Sequence, residues 1–243
     1  MKLNEYYDSA YEKENLRDLE SLKDEALTLS KGLYHYVKEC KDKFLGDLDW
    51  SSLNILETGS GRGGLGLHLA RLGAKVTLVD FSKEALEQAQ RIFASEGFEV
   101  RTIMGDVSSP ELQLLDKFHL IADSHLLHCL TDDPDRSSYY AFIKEHLIQN
   151  GIFTAETMVH RKKLFIPEGF HFDEKNILWQ FMGSMIPIRR ILDSLDLEDE
   201  IKKSGLEIAS FYYYGQFGFV PHQNFLEIPA EILPASVRMV LKP

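Results

Sequence analysis

Along the first part of the chain, apolar residues recur at a helical interval. Leu16, Leu19, Leu22, Ala26, Leu27, Leu33, Tyr34 and Val37 stand among charges close to every 3.6 residues, predicting one long or two shorter amphipathic helices over 15–43. From residue 53 the rhythm changes to short apolar runs separated by helical stretches. Strands are predicted over 53–58, 75–79, 99–104, 118–122 and 152–158, with helices over 65–72, 82–94, 110–115 and 137–148. Gly73 ends the first of these helices, Ser82 with Glu84 and Glu87 starts the next, and Asn150-Gly151 turns the chain into the fifth strand. Strands alternating with helices give βαβ units and a parallel sheet. The pattern breaks over 159–190, where aromatic, basic and Pro residues mix without a period; a helix over 191–203 ending at Gly205 and strands over 206–214 and 236–241 close the chain.

The 243 residues suit one domain with elaborations: a helical cap over 1–50, a core over 51–158, a lid insertion and helix over 159–203, and closing strands over 204–243. With 27 Lys and Arg against 38 Asp and Glu, the net charge is −11, and no basic run exceeds Arg161-Lys162-Lys163. That balance excludes nucleic acid as the expected partner. The polar start and the lack of a long apolar run predict a cytoplasmic protein without a membrane span. Cys40 and Cys129 are too few for a disulfide framework and are expected as reduced thiols.

Chemistry concentrates in Asn54-Ile-Leu-Glu-Thr-Gly-Ser-Gly-Arg-Gly-Gly-Leu-Gly66, followed by Ala74-Lys-Val-Thr-Leu-Val-Asp80. Glycines after a strand let the backbone turn sharply beside a ligand, and the helix that follows offers free N–H groups. Gly59, Gly61 and Gly64 satisfy the dinucleotide pattern G-x-G-x-x-G, with Asp80 at the spacing of a ribose-binding acid. Gly59, Gly61 and Gly63 equally satisfy E-x-G-x-G-x-G counted from Glu57. A dinucleotide enzyme needs a second nucleotide-binding half, and no renewed βαβ run follows Met158.

Residues 54–158 resemble, motif by motif, the class I S-adenosylmethionine-dependent methyltransferases. The resemblance implies a doubly wound, mostly parallel, seven-stranded Rossmann-like sheet with an antiparallel C-terminal strand, here with helical lid elements. It implies that Glu57, Gly59, Ser60, Gly61 and Gly63 form the first cofactor motif, with Gly63 facing the ligand and Gly64 packing the helix. Asp80 falls at the place that binds the ribose hydroxyls, with Phe81 beside the adenine, and Asp106 with Val107 at the place that holds the adenine amino group. Asp123 and Ser124 fall in the segment that closes over the methionine part, and Tyr7 and Tyr11 in an N-terminal lid. Asn150-Gly151 lacks the family's usual Pro. No Asn-Pro-Pro-Tyr or Asp-Pro-Pro-Tyr follows the fourth strand, which argues against a DNA or protein-glutamine amino-methylating enzyme.

On the substrate side, His125 and His128 stand three apart after a strand. Imidazole serves as a general base near neutral pH, and His128 is the first candidate with His125 supporting it. Two imidazoles on one face also suit a divalent metal, with Glu156, His160, His171 or His222 as further ligands, although no metal is the favoured expectation. Asp135-Arg136 reads as a surface cap and charge pair. Phe165, Phe170, Phe172, Trp179, Phe181, Met182 and Met185 read as the inner face of a helical flap over a small substrate. The expected function is methyl transfer to an O, N or S atom of a small molecule; the alternative is an S-adenosylmethionine-binding sensor or scaffold without chemistry.

Overall fold

The computed structural model describes residues 3–14, 17–161, 163–216 and 229–243. In chain order the elements are α1 (Leu3–Glu14), α2 (Leu19–Phe44), β1 (Asn54–Thr58), α3 (Gly64–Ala70), β2 (Lys75–Asp80), α4 (Lys83–Ser95), β3 (Arg101–Met104), β4 (Phe118–Ser124) and α5 (Asp133–His146). There follow β5 (Leu147–His160), β6 (Phe170–Phe172), β7 (Ile177–Phe181), β8 (Met185–Arg190), β9 (Leu192–Asp193), α6 (Ser194–Ser204), β10 (Glu207–Gln216) and β11 (Ala235–Lys242).

The main sheet runs β10-β11-β5-β4-β1-β2-β3, with the short β9 added beside β5. Strands β1 to β5 pair in parallel, and β11 runs antiparallel to both β5 and β10. The strand order reverses between β1 and β4, so a crevice opens at the carboxyl ends of these two strands, where doubly wound sheets bind ligands. One face of the sheet is covered by Tyr139 and Ile143 of α5 and Leu197 and Ile201 of α6 packing on Phe153 and Met239. The other is covered by Leu33 and Val37 of α2 and Leu65 and Leu69 of α3 packing on Ile55, Leu120 and Val240.

Local signals explain most boundaries. Asp18 accepts from Ser21 N–H at 2.9 Å to cap α2, Ser82 accepts from Ala85 N–H at 3.2 Å to cap α4, and Gly205 at φ 78° ends α6. Several expectations are corrected. The helix foreseen over 110–115 is absent: Asp106 turns back to accept from Ser108 N–H and Oγ–H, and the run over 110–115 is too short to hold a helix by itself. Asn150-Gly151 is no free turn but an irregularity inside β5, where the pairing jumps from Phe118↔Leu147 to Leu120↔Ile152.

The largest correction concerns the lid, which is a sheet and not a helical flap. Strands β6, β7 and β8 form a separate antiparallel sheet whose inner residues Leu178, Ile186 and Ile188 pack with Leu164, Ile191 and Met158. Ile186 and Ile188 alternate inward with the period of a strand, and Gly183 at φ 82° turns β7 into β8. Asp173 organises the approach, accepting from Lys175 and Ile177 N–H and from Trp179 Nε1–H, each at 2.9 Å. Among the described residues no helix is long and apolar enough to cross a membrane.

Candidate active site

The glycine-rich turn leaves β1 at Gly59 and is tied down by Asp80. Asp80 Oδ2 accepts from Gly61 N–H at 2.8 Å and Oδ1 from Ser82 N–H at 2.9 Å, so one carboxylate joins the turn to the start of α4. Burial raises its pKa, against the pull of those two N–H groups. Gly61 needs its φ of 50°, and a Cβ there would lie 2.7 Å from Tyr11 Oη. Gly63 departs from its expected ligand-facing place: a Cβ on it would strike Leu78 at 2.7 Å and Phe93 at 3.1 Å, both in the core. A Cβ on Gly64 would overlap the carbonyl oxygen of Ala26, which fits a helix-packing role against α2.

Two further acids lie deep. Glu57 accepts from Gly66 N–H at 2.7 Å and Ser124 Oγ–H at 3.2 Å, and burial pushes its carboxyl up to about 8. Asp123, expected to touch the cofactor, is wholly buried and accepts from Leu126 N–H at 2.6 Å, Leu127 N–H at 3.0 Å and Tyr139 Oη–H at 3.0 Å. It shapes the loop after β4 from below, and burial raises its pKa to about 6. Glu57 binds its proton more tightly folded than unfolded. Its contribution to stability is therefore whole below the ordinary value of 4.5 and is lost as pH rises through about 8. The melting temperature is expected to fall between these limits, and less so in Glu57→Gln; equal pH dependence of the two proteins in calorimetry would refute the assignment.

Two cavities flank Gly59 at the carboxyl ends of the strands. The larger, about 600 Å³, is lined by Tyr7, Asp80, Phe81, Asp106, Val107 and Leu130 among others, with Met185, Ile186 and Pro187 of β8 closing one side. The smaller, about 190 Å³, is lined by Tyr11, Glu57, Ser60, Gly61, Ser124 and His125. Ser60 Oγ is shielded there without a hydrogen-bond partner among the described residues.

The roof comes from two distant parts of the chain. Tyr7 of α1 meets the Phe81 ring edge-on at 5.9 Å and accepts from Arg189 of β8 at 2.8 Å. Arg62 of the turn pairs with Glu14 and donates to Gln88 at 2.9 Å, whose amide in turn donates to Tyr11 O at 3.0 Å. Burial holds the Tyr7 and Tyr11 hydroxyls well above the ordinary tyrosine range, so both stay protonated.

The two histidines part company. His128 is buried, lines neither cavity, and meets Thr157 Oγ1 at 3.3 Å and Met158 N–H at 3.4 Å through Nδ1. Burial, with Arg189 nearby, holds its pKa well below 6.5, so it is neutral. His125 takes an unusual φ of 74° and lines the smaller cavity, its Nε2 3.9 Å from Glu156 Oε1. Glu156 is itself fixed by Ser236 at 2.8 Å and Arg238 at 2.7 Å; burial acts to raise its pKa, but His125 and Arg238 hold it down at about 2. No three His, Cys, Asp or Glu side chains converge as metal ligands among the described residues. His160 pairs with Asn176 instead at 3.2 Å, and His222, also named for such a site, lies outside the described residues.

Arg136 is the residue the sequence misplaced. It is buried, not a surface charge: its guanidinium clasps Glu200 through Nε and Nη2 and donates to Leu127 O at 2.6 Å and Leu130 O at 3.2 Å. This clamp fixes the loop that carries His125 and the cavity-lining Leu126, Cys129 and Leu130. Nothing local signals it, because Glu200 lies 64 residues away.

Residues 55–151 match the family model of the methyltransferase domain. Among solved structures, the chain is similar to an S-adenosylmethionine-dependent methyltransferase from Clostridium acetobutylicum, at 18% identity over 86% of this chain and 98% of that one, TM-score 0.58. It is similar to the CcbJ methyltransferase from Streptomyces caelestis at 18% identity over 82% and 86%, TM-score 0.59. It is also similar to the glycopeptide N-methyltransferase MtfA complexed with S-adenosylmethionine, at 18% identity over 79% and 82%, TM-score 0.52. No curated protein sequence matches significantly.

Proposed function

We propose that this chain, which matches the methyltransferase domain over residues 55–151, binds S-adenosylmethionine in the crevice and moves its methyl to an O, N or S nucleophile of a small molecule, and that it works in the cytoplasm. The observation that carries this reading is the cavity of about 600 Å³ that brings Asp80, Phe81, Asp106 and Val107 to one wall beside the glycine turn. Asp80 would accept the ribose hydroxyls, Phe81 and Val107 would flank the adenine, and Asp106 would accept its amino group. The shielded, unpartnered hydroxyl of Ser60 in the adjoining cavity suits the polar end of the methionine part.

S-adenosylmethionine supplies a sulfonium methyl that a lone pair displaces in line, the sulfur leaving as a neutral thioether. The chain then has to hold the nucleophile against the methyl, exclude water, and take a proton where the acceptor carries one. The roof of α1 and β8 serves the second task. For the third, His125 is the better base than His128, because it lines the cavity and is backed by a carboxylate. Replacing it by Ala is expected to cut turnover by about 10²–10⁴ while changing cofactor affinity far less. Unchanged turnover would remove the role.

Release of S-adenosylhomocysteine in a screen of thiols, amines, phenols and carboxylates tests the activity. Cofactor binding without release with any class of acceptor would favour a sensor over an enzyme.

A further inference from the structure

The closing strand β11 buries a charge that the fold alone does not call for. From Ala235 to Leu241 it is shielded from solvent, and every residue there is apolar except Ser236 and Arg238. An ion pair in such a place is no more stabilising than apolar side chains of similar volume. Both polar residues go to one acid: Ser236 Oγ–H donates to Glu156 Oε1 at 2.8 Å and Arg238 Nε–H to Oε2 at 2.7 Å. Register explains the convergence, because Glu156 of β5 stands opposite Arg238 on one side and opposite Ser124, the neighbour of His125, on the other. The guanidinium is itself gripped by two rings, Tyr214 of β10 with its centroid 3.2 Å away and Tyr36 of α2 at 5.2 Å. The carboxylate so fixed holds its Oε1 3.9 Å from His125 Nε2. Arg238, Glu156 and Tyr214 line neither cavity of the crevice, whereas His125 lines the smaller one. Any part these three take in the chemistry therefore passes through His125.

We infer that Arg238 is a positioning residue for methyl transfer: it fixes the Glu156 carboxylate beside His125, which orients the imidazole and gives its protonated form a counter-charge. The inference rests on the reading of His125 as the base. As the acceptor's lone pair bonds to the methyl carbon, the sulfur leaves with its bonding pair as a neutral thioether, and the acceptor's proton passes to His125. The imidazolium so formed faces a carboxylate that Arg238 and Ser236 keep from turning away.

Steady-state kinetics with the acceptor that the screen above identifies, beside isothermal titration of S-adenosylhomocysteine, test it. Arg238→Met and Glu156→Gln are each expected to lower kcat about tenfold to a hundredfold while leaving S-adenosylhomocysteine affinity nearly unchanged. In a His125→Ala background neither is expected to lower turnover further. Should Arg238→Met fail to fold, Tyr214→Leu removes the half-exposed ring that grips the guanidinium, and it is expected to show the same pattern in smaller measure. A loss of kcat that persists undiminished in the His125→Ala background would overturn the inference, and so would an equal loss of kcat and of S-adenosylhomocysteine affinity, which marks a merely structural part. Unchanged kcat in Glu156→Gln would overturn it too. His125→Ala that turns over like the native protein, or release with no class of acceptor, would instead sink the reading of His125 on which it rests.

Discussion

Titrating S-adenosylmethionine into Asp80→Ala is expected to give no measurable binding under conditions that saturate the native protein. Two losses combine. In the proposed crevice the carboxylate accepts the ribose hydroxyls, and charge-assisted hydrogen bonds are worth about 1.5–3 kcal/mol each, so losing two costs a hundredfold or more in affinity. Asp80 also holds Gly61 N–H and Ser82 N–H, so its removal loosens the turn and the start of α4 together. The second effect belongs to the fold and shows as a lowered melting temperature of the ligand-free protein, on the scale of a lost cap of about 1–2 kcal/mol. The first shows only in titration. Binding of S-adenosylmethionine by Asp80→Ala as tight as that of the native chain would contradict the proposed crevice.

Arg136→Met is expected to be the most destabilising single change considered. Among the described residues it leaves the Glu200 carboxylate with only Tyr140 Oη–H at 2.7 Å, and it strips Leu127 O and Leu130 O of their buried donor. Breaking a buried pair by removing one partner costs about 3–5 kcal/mol, which for a domain of this size lowers the melting temperature by on the order of 10 °C. Cofactor affinity should fall as well, because the loop that the clamp holds lines the larger cavity. The double variant Arg136→Met, Glu200→Met removes both charges and is expected to regain most of the loss. A drop of less than about 1 kcal/mol in chemical denaturation of the single variant would show the clamp to be unimportant.

The parts of this protein that follow local rules are visible in its residues. The strand–turn–helix unit from Asn54, the Ser82 cap and the Gly205 stop each depend on neighbours within a few positions, and each stands where the sequence puts it. The lid insertion was legible only as a break in pattern, because its strands are three to six residues long and Ile186 and Ile188 are separated by a proline. Residues whose neighbours are distant were misread in a consistent direction. Arg136 looked exposed because its partner is on α6; Asp123 looked available because Tyr139 and the loop amides that consume it are visible only once the chain has folded. Gly63 fits the family spacing, yet its surroundings are set by Leu78 and Phe93 from the next strand and helix. The sequence puts His128 ahead of His125, but a φ of 74° at His125 sends the two rings to different environments.

The roof joins Tyr7, near the start of the chain, to Arg189, 182 positions later. A growing polypeptide emerges from its N-terminus, so α1 is made before the strands and has nothing to close upon until they, and then β8, have been made. The crevice thus becomes whole only once β8 has been made, and truncated chains ending before Arg189 would possess the glycine turn and every acid of its wall yet lack the tie that holds Tyr7 over it.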